Sequence, residues 1–285
     1  MMTSLLKVRD LIVEYPGRGL RARPFRALAG VSLDIRPGES LGLVGESGSG
    51  KTTLGRAVLG LAPVTSGEIV FDGREIGHLS HRARRPLASE IQVVFQDPYS
   101  SLNPSLTVAQ ILAEPLMARG VAAKEASRRV GDLLERVALP SDAARRLPRE
   151  FSGGQRQRIA IARALALDPR LVVCDEPVSA LDLSTQARVL DLLVEVQERT
   201  GVAYLFISHD LAVVRHISHR VSVMYRGEIV ETGDGEQVTA RPVHPYTQRL
   251  LLAAPVADPR AQAERRAARH SLRESITAPS TAVMS

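Results

Sequence analysis

The stretch Gly45-Glu46-Ser47-Gly48-Ser49-Gly50-Lys51-Thr52 fits the pattern G-x-x-x-x-G-K-[ST]. Its glycines let the backbone wrap until successive N–H groups converge on phosphate oxygens. A helical pattern begins near Lys51 and aims the positive end of its dipole at the same point. Lys51 would bring a point charge to the β- and γ-phosphates. The Thr52 hydroxyl would ligate Mg²⁺, with Thr53 beside it in the first turn. Lysine is scarce in this chain: Lys7, Lys51 and Lys124 stand against 34 arginines. A lysine at this position is therefore informative.

Three more apolar runs end in residues that could act on a phosphate. Leu171-Val172-Val173-Cys174 leads into Asp175-Glu176. Asp175 would hold Mg²⁺, largely through water, and Glu176 would polarise an attacking water. Cys174 within that run reads as a small buried hydrophobe. Ile91–Phe95 ends in Gln96, whose carbonyl oxygen could reach Mg²⁺ or the lytic water. Val202–Ser208 ends in His209-Asp210, and the imidazole could contact a γ-phosphate oxygen. A fifth passage is of another kind. Phe151-Ser152-Gly153-Gly154-Gln155 places a serine cap and paired glycines at the start of an Ile/Ala/Leu helix reaching Leu167. That is a second anion-binding helix start, and it makes sense if it serves the nucleotide of another chain.

These residues need a scaffold that brings strand ends together. The continuously apolar runs at 171–174 and 202–208 suit strands of a parallel sheet covered by helices on both faces. Ser40–Val44 enters the glycine cluster directly. Ligands of such sheets gather at the carboxyl ends of the strands. Near the N-terminus, Leu6–Tyr15 and Val31–Ile35 read as strands flanking an Arg/Gly/Pro-rich loop from Pro16 to Arg26, and Ile69–Phe71 enters a tight turn at Asp72-Gly73. From Asp97 to about Leu147 the pattern is helical, punctuated by prolines.

Composition narrows the classes. With 285 residues, 44% hydrophobic and 24% charged, the chain is an ordinary globular one with ample core. One cysteine excludes an intrachain disulfide framework and a cysteine-built metal cluster. No apolar run reaches 18 residues, so no spanning helix is expected, and Met1–Asp10 lacks the pattern of a secretory leader. The net charge of +6 has no basic block interleaved with aromatics, so it reads as a mixed solvated surface with no nucleic-acid partner. The segment after Pro255 is charged and poor in apolar residues, and residues 256–285 read as a flexible tail.

Taken in order, these motifs resemble those of an ATP-binding cassette (ABC) ATPase over about Leu6 to Gly233. The phosphate loop at 45–52, Gln96, the signature Ser152-Gly153-Gly154-Gln155, Asp175-Glu176, the dimer-contact loop Ser179-Ala180-Leu181-Asp182 and His209 all occur. Tyr15, 30 residues before Gly45, matches the aromatic that stacks on adenine, with Phe25 a second candidate. Phe95 to Pro104 and Arg241-Pro242-Val243-His244-Pro245-Tyr246-Thr247 are similar to passages in the ATPases of oligopeptide, dipeptide and nickel importers.

The resemblance implies an α/β P-loop NTPase core with an antiparallel N-terminal β-subdomain and an inserted helical subdomain at about 97–165. An importer-type extension would begin at about 234 within an ATPase domain of about 1–255. It implies ATP and Mg²⁺ as ligands, with Thr52, Gln96 and Asp175 at the metal. It also implies a second ABC ATPase subunit, the same or different, two permease subunits and, indirectly, an extracytoplasmic solute-binding protein. The chain would lie peripherally on the cytoplasmic face of the membrane and energise import of peptides or a related small solute. The competing expectation is a soluble ABC ATPase acting on nucleic acid or ribosomes. The 130 residues between Gly45 and Asp175 leave no space for a long coiled coil, which counts against the chromosome-bound type.

Overall fold

The computed structural model describes residues 4–17, 23–97 and 101–253. Its centre is a six-stranded sheet in the order β10-β9-β3-β8-β7-β6. These strands are β3 (Ser40–Val44), β6 (Ile91–Val94), β7 (Leu171–Asp175), β8 (Ala203–Ser208), β9 (Arg220–Tyr225) and β10 (Glu228–Asp234). Neighbours from β9 to β6 are parallel, and β10 closes the edge as an antiparallel hairpin with β9. Every residue of β3 and β8 is buried, as expected for strands covered on both faces.

Side-chain alternation divides the core in two. Leu41, Leu43, Leu171, Val173, Ala203, Leu205 and Ile207 point to one face. Val44, Val172, Cys174, Tyr204, Phe206, Val221 and Val223 point to the other. The first face is covered by helix α1 (Lys51–Leu59) and a separate antiparallel sheet in the order β2-β1-β4-β5. That sheet comprises β1 (Leu6–Tyr15), β2 (Phe25–Ile35), β4 (Ser66–Phe71) and β5 (Arg74–Glu75). Its Leu6, Val8, Leu11, Val13, Val31 and Ile35 all join the same cluster. Each such fully buried side chain contributes about 1.5–3 kcal/mol relative to exposure.

The second face is covered by helices. After the short α2 (His81–Arg84) come α3 (Val108–Ala118), α4 (Ala123–Arg136), α5 (Gly153–Leu165), α6 (Leu183–Thr200), α7 (Leu211–Ile217), α8 (Gly235–Ala240) and α9 (Pro245–Ala253). On α4 the buried positions Ala126, Val130, Leu133 and Leu134 recur at helical spacing, while arginines and acids occupy the exposed face. Helix α3 opens on a capping box in which Thr107 and Gln110 satisfy each other's backbone N–H. Among the described residues no helix is long and apolar enough to cross a membrane.

Several sequence expectations are refined. The second N-terminal strand begins at Phe25 rather than Val31, because Phe25 and Arg26 pair with Tyr15 and Glu14 across the sheet. Strand β6 stops at Val94, one residue short of Phe95. The helical stretch after Asp97 resolves into α3, α4 and two 3₁₀ turns, Ser141–Arg145 and Pro148–Glu150. Strands β9 and β10 were not foreseen. Arg220 and Ser222 interrupt the apolar pattern of β9, yet Ser222 is buried there with its hydroxyl 2.9 Å from the Thr232 hydroxyl on β10. The proposed flexible tail and the centre of the 95–104 passage, residues 98–100, lie outside the described residues.

Candidate functional site

Register across the central sheet aligns the motif-bearing strand ends. Val44 of β3 pairs with Ser208 of β8, Ile207 pairs with Asp175 of β7, and Cys174 pairs with Val94 of β6. Gly45, Glu176, His209 and Phe95-Gln96 therefore leave the sheet at one edge. Four sequence-distant motifs meet there because the strands are parallel and in step.

The loop 45–50 turns from β3 into α1 under tight steric limits. A Cβ on Gly45 would run into the Met224 carbonyl oxygen of β9. Gly50 caps α1 at φ 112°, a left-handed conformation that side chains resist, and a Cβ there would lie 2.8 Å from the Ala27 carbonyl oxygen. The first turn of α1 has no side-chain cap and no acidic residue. The N–H groups of Lys51, Thr52 and Thr53 thus remain available to an anion. Ser49 is buried within the loop, while Glu46, Ser47 and Gly48 are exposed on its rim.

Lys51 is buried, and its Nζ donates to the carbonyl oxygens of Gly45 at 2.7 Å and Glu46 at 2.8 Å. Burial pushes its pKa down, opposed by the charges of Glu176, Asp175 and Glu46. Thr52 donates its hydroxyl to Asp175 Oδ1 at 3.0 Å, across 123 residues of sequence. Burial pushes the Asp175 carboxyl up, and the Thr52 hydrogen bond only partly offsets this. A half-buried carboxylate held against a threonine hydroxyl is a pair of hard oxygen donors, which fits Mg²⁺. Burial likewise pushes the Cys174 thiol up, so it is inert.

Glu176 has φ 49°, unusual for a residue with a side chain, and its N–H donates to the Ile207 carbonyl at 3.0 Å. Its Oε2 lies 3.2 Å from His209 Nδ1. The left-handed residue ends the strand direction of β7 at the point where its carboxylate meets the histidine. Gln96 is exposed two residues beyond β6, at the same edge.

Two predicted groups stand apart. Tyr15 ends β1, half-buried, directly across from Phe25, which is 64% exposed. The signature forms the start of α5. The Ser152 hydroxyl accepts from Gln155 N at 3.3 Å, and Gln155 Oε1 accepts from Ser152 N at 3.0 Å. Gly153 follows the cap in the first turn, and a Cβ on Gly154 would run into the Thr185 side chain of α6. Gly154 therefore serves helix packing within its own chain. Among the described residues no hydrogen bond joins the signature to the phosphate loop, Asp175 or Glu176.

Sequence reasoning missed the outer bracket of the loop. Gly227, in the β9–β10 turn, donates its N–H to the Ser49 carbonyl at 2.8 Å and accepts from Ala29 N at 2.9 Å. Tyr246 of α9 accepts from Glu46 N at 3.0 Å. The Arg226-Gly227 pair marks the turn, but no local pattern links either contact to the loop.

The ABC transporter family profile matches residues 28–179. This chain belongs to the ABC transporter family. ATP with Mg²⁺ is the ligand pair of that family's nucleotide sites. The chain is 54% identical over 260 residues to the glutathione import ATP-binding protein GsiA of Pectobacterium atrosepticum, covering 90% of this chain and 42% of that protein. It is 52% identical over 267 residues to GsiA of Escherichia coli, covering 92% and 43%. The chain thus spans less than half the length of these relatives. Among solved structures it resembles cbiO1 of Clostridium perfringens, part of the transporter complex cbiONQ, with TM-score 0.75, 29% identity and coverage of 84% and 91%. It also resembles the dimeric ATP-binding cassette MJ0796 bound to ADP and Pi, with TM-score 0.72, 30% identity and coverage of 80% and 98%.

Proposed function

We propose that this chain binds MgATP at the 45–53 loop and hydrolyses it to drive closure on a second cassette, energising import of a small solute. The observation that carries this is the single sheet edge where Lys51, the Thr52–Asp175 pair and the Glu176–His209 pair converge. The residues divide the work. Loop N–H groups and Lys51 neutralise the phosphates. Tyr15, with Phe25 beside it, offers a face to adenine. Thr52, Asp175 and Gln96 would hold Mg²⁺, which would supply positive charge to the phosphates. Glu176 takes a proton from the attacking water as its oxygen bonds the γ-phosphorus and the bond to the β–γ bridging oxygen breaks, leaving ADP and phosphate. His209 Nδ1 steadies the Glu176 carboxylate, and when protonated its other ring N–H donates to a γ-phosphate oxygen.

Ser152, Gly153, Gly154 and Gln155 complete the site of a partner chain. A head-to-tail pair supplies the second anion-binding helix start that one nucleotide needs. ATP then favours the closed pair, and hydrolysis reopens it. The stretch of about 97–165 is the helical subdomain that receives a permease, and the extension from about 234 belongs to the ATPase unit of about 1–255. The likeness to glutathione import proteins supports peptide-like cargo such as glutathione. It also supports peripheral attachment at the cytoplasmic face through two permeases fed by a solute-binding protein. Replacing Lys51 by Ala tests the site. Binding of MgATP and hydrolysis are both expected to be lost, and unchanged ATP affinity would refute it.

A further inference from the structure

Three of the contacts that hold the phosphate loop from outside come from the β9–β10 hairpin and α9. The Met224 carbonyl packs against Gly45, and the Gly227 N–H closes on the Ser49 carbonyl. Both use backbone atoms of the β9–β10 hairpin. The third is the Tyr246 hydroxyl, 200 residues from the loop, which accepts the Glu46 N–H at 3.0 Å. Of these three contacts it is the one made by a side chain.

Tyr246 is placed with care for so small a contact. Its ring is 3% exposed and lies on Tyr225, the last residue of β9, with centroids 4.2 Å apart and planes tilted by 35°. The turn before it is anchored on β10, where the two Glu231 carboxylate oxygens accept from Val243 N at 2.8 Å and His244 N at 3.0 Å. His244 Nδ1 in turn accepts from Tyr246 N at 3.2 Å. This chain of contacts fixes the hydroxyl relative to β9 and β10, the hairpin that carries the other two holds.

A loop that cradles phosphate must present its N–H groups in one arrangement, and a glycine-rich segment resists none of the alternatives on its own. Engaging the Glu46 N–H from behind fixes the peptide plane at the loop's entrance. The Ser49 N–H donates back to the Glu46 carbonyl at 3.2 Å, and the N–H groups left over are then available to the phosphates without further ordering on binding. We propose that Tyr246 is a positioning residue for nucleotide binding: through the Glu46 N–H it preorganises the phosphate loop, making the C-terminal extension part of the ATP site. This rests on the reading of that loop as the ATP site.

The test compares the full chain with Tyr246→Phe, Tyr246→Leu and Lys51→Ala. A fluorescent ATP analogue with Mg²⁺ is titrated against each, steady-state hydrolysis is followed, and thermal unfolding and Glu46 amide exchange are measured. Phe keeps the ring on Tyr225 and removes only the acceptor. The expected result is a three- to ten-fold rise in Kd and KM for Tyr246→Phe, with kcat within two-fold, unfolding unchanged and the Glu46 amide exchanging faster. If Tyr246→Phe binds like the parent while Tyr246→Leu and Lys51→Ala do not, the ring merely packs, and this inference falls while the ATP site stands. If Lys51→Ala binds like the parent, the site reading falls and takes the inference with it.

Discussion

Replacing Glu176 by Gln isolates the proton-accepting step. The amide occupies the space of the carboxylate and still accepts from His209, whose Nδ1 lies 3.2 Å from Oε2 in the parent. The strained backbone at φ 49° is held by the Glu176 N–H to the Ile207 carbonyl and is untouched. Only the basic charge is lost. A positioned general base is worth about 10²–10⁴ in rate, which corresponds to about 3–5 kcal/mol of transition-state stabilisation. Charge effects on binding run the other way. Glu176 raises the Asp175 pKa and is a negative neighbour of the phosphate site, so its removal relieves repulsion. ATP affinity should therefore equal or exceed that of the parent. Phosphate release under saturating MgATP, alongside equilibrium titration with a fluorescent analogue, separates the two effects. A turnover within ten-fold of the parent, in a variant that still binds ATP, would refute Glu176 as the base.

Two further substitutions probe other parts of the site. Ser152→Asp keeps a good helix cap for Gln155 N but puts a negative charge where a partner's γ-phosphate would sit. Its unfolding temperature and ATP affinity as an isolated chain should match the parent, while ATP-dependent pairing, followed by light scattering in the Glu176→Gln background, should disappear. Gly154 is unsuited to the same test, because any Cβ there disturbs Thr185 in the same chain. Asp175→Asn keeps the Thr52 contact and removes a charge that burial disfavours. With its folded pKa raised, Asp175 costs stability as pH rises from the ordinary carboxylate range through that raised value. The variant should be more stable than the parent at neutral pH, with a higher unfolding temperature, and the advantage should vanish as pH falls into the ordinary carboxylate range. Its Mg²⁺-dependent hydrolysis should fall sharply. A variant less stable than the parent at pH 7 would contradict the burial argument.

The motifs of the candidate site were legible in the chain because they are written locally. A glycine-rich turn between an apolar run and a helix, acids after a buried strand, and a serine cap before paired glycines each need only a few neighbouring residues. Their types state their conformations. The continuously apolar β7 and β8 announced a covered parallel sheet for the same reason. What the tertiary structure alone decided lies in contacts that no local period carries. It set the register that brings Gly45, Asp175 and His209 to one edge. It paired Phe25 with Tyr15, turning the last two residues of the expected loop into strand. It wrapped the unforeseen β9–β10 hairpin around the phosphate loop, with the Gly227 N–H on Ser49, and set the Tyr246 hydroxyl on Glu46. A backbone N–H takes whichever acceptor packing delivers, and delivery across 200 residues depends on the whole core closing.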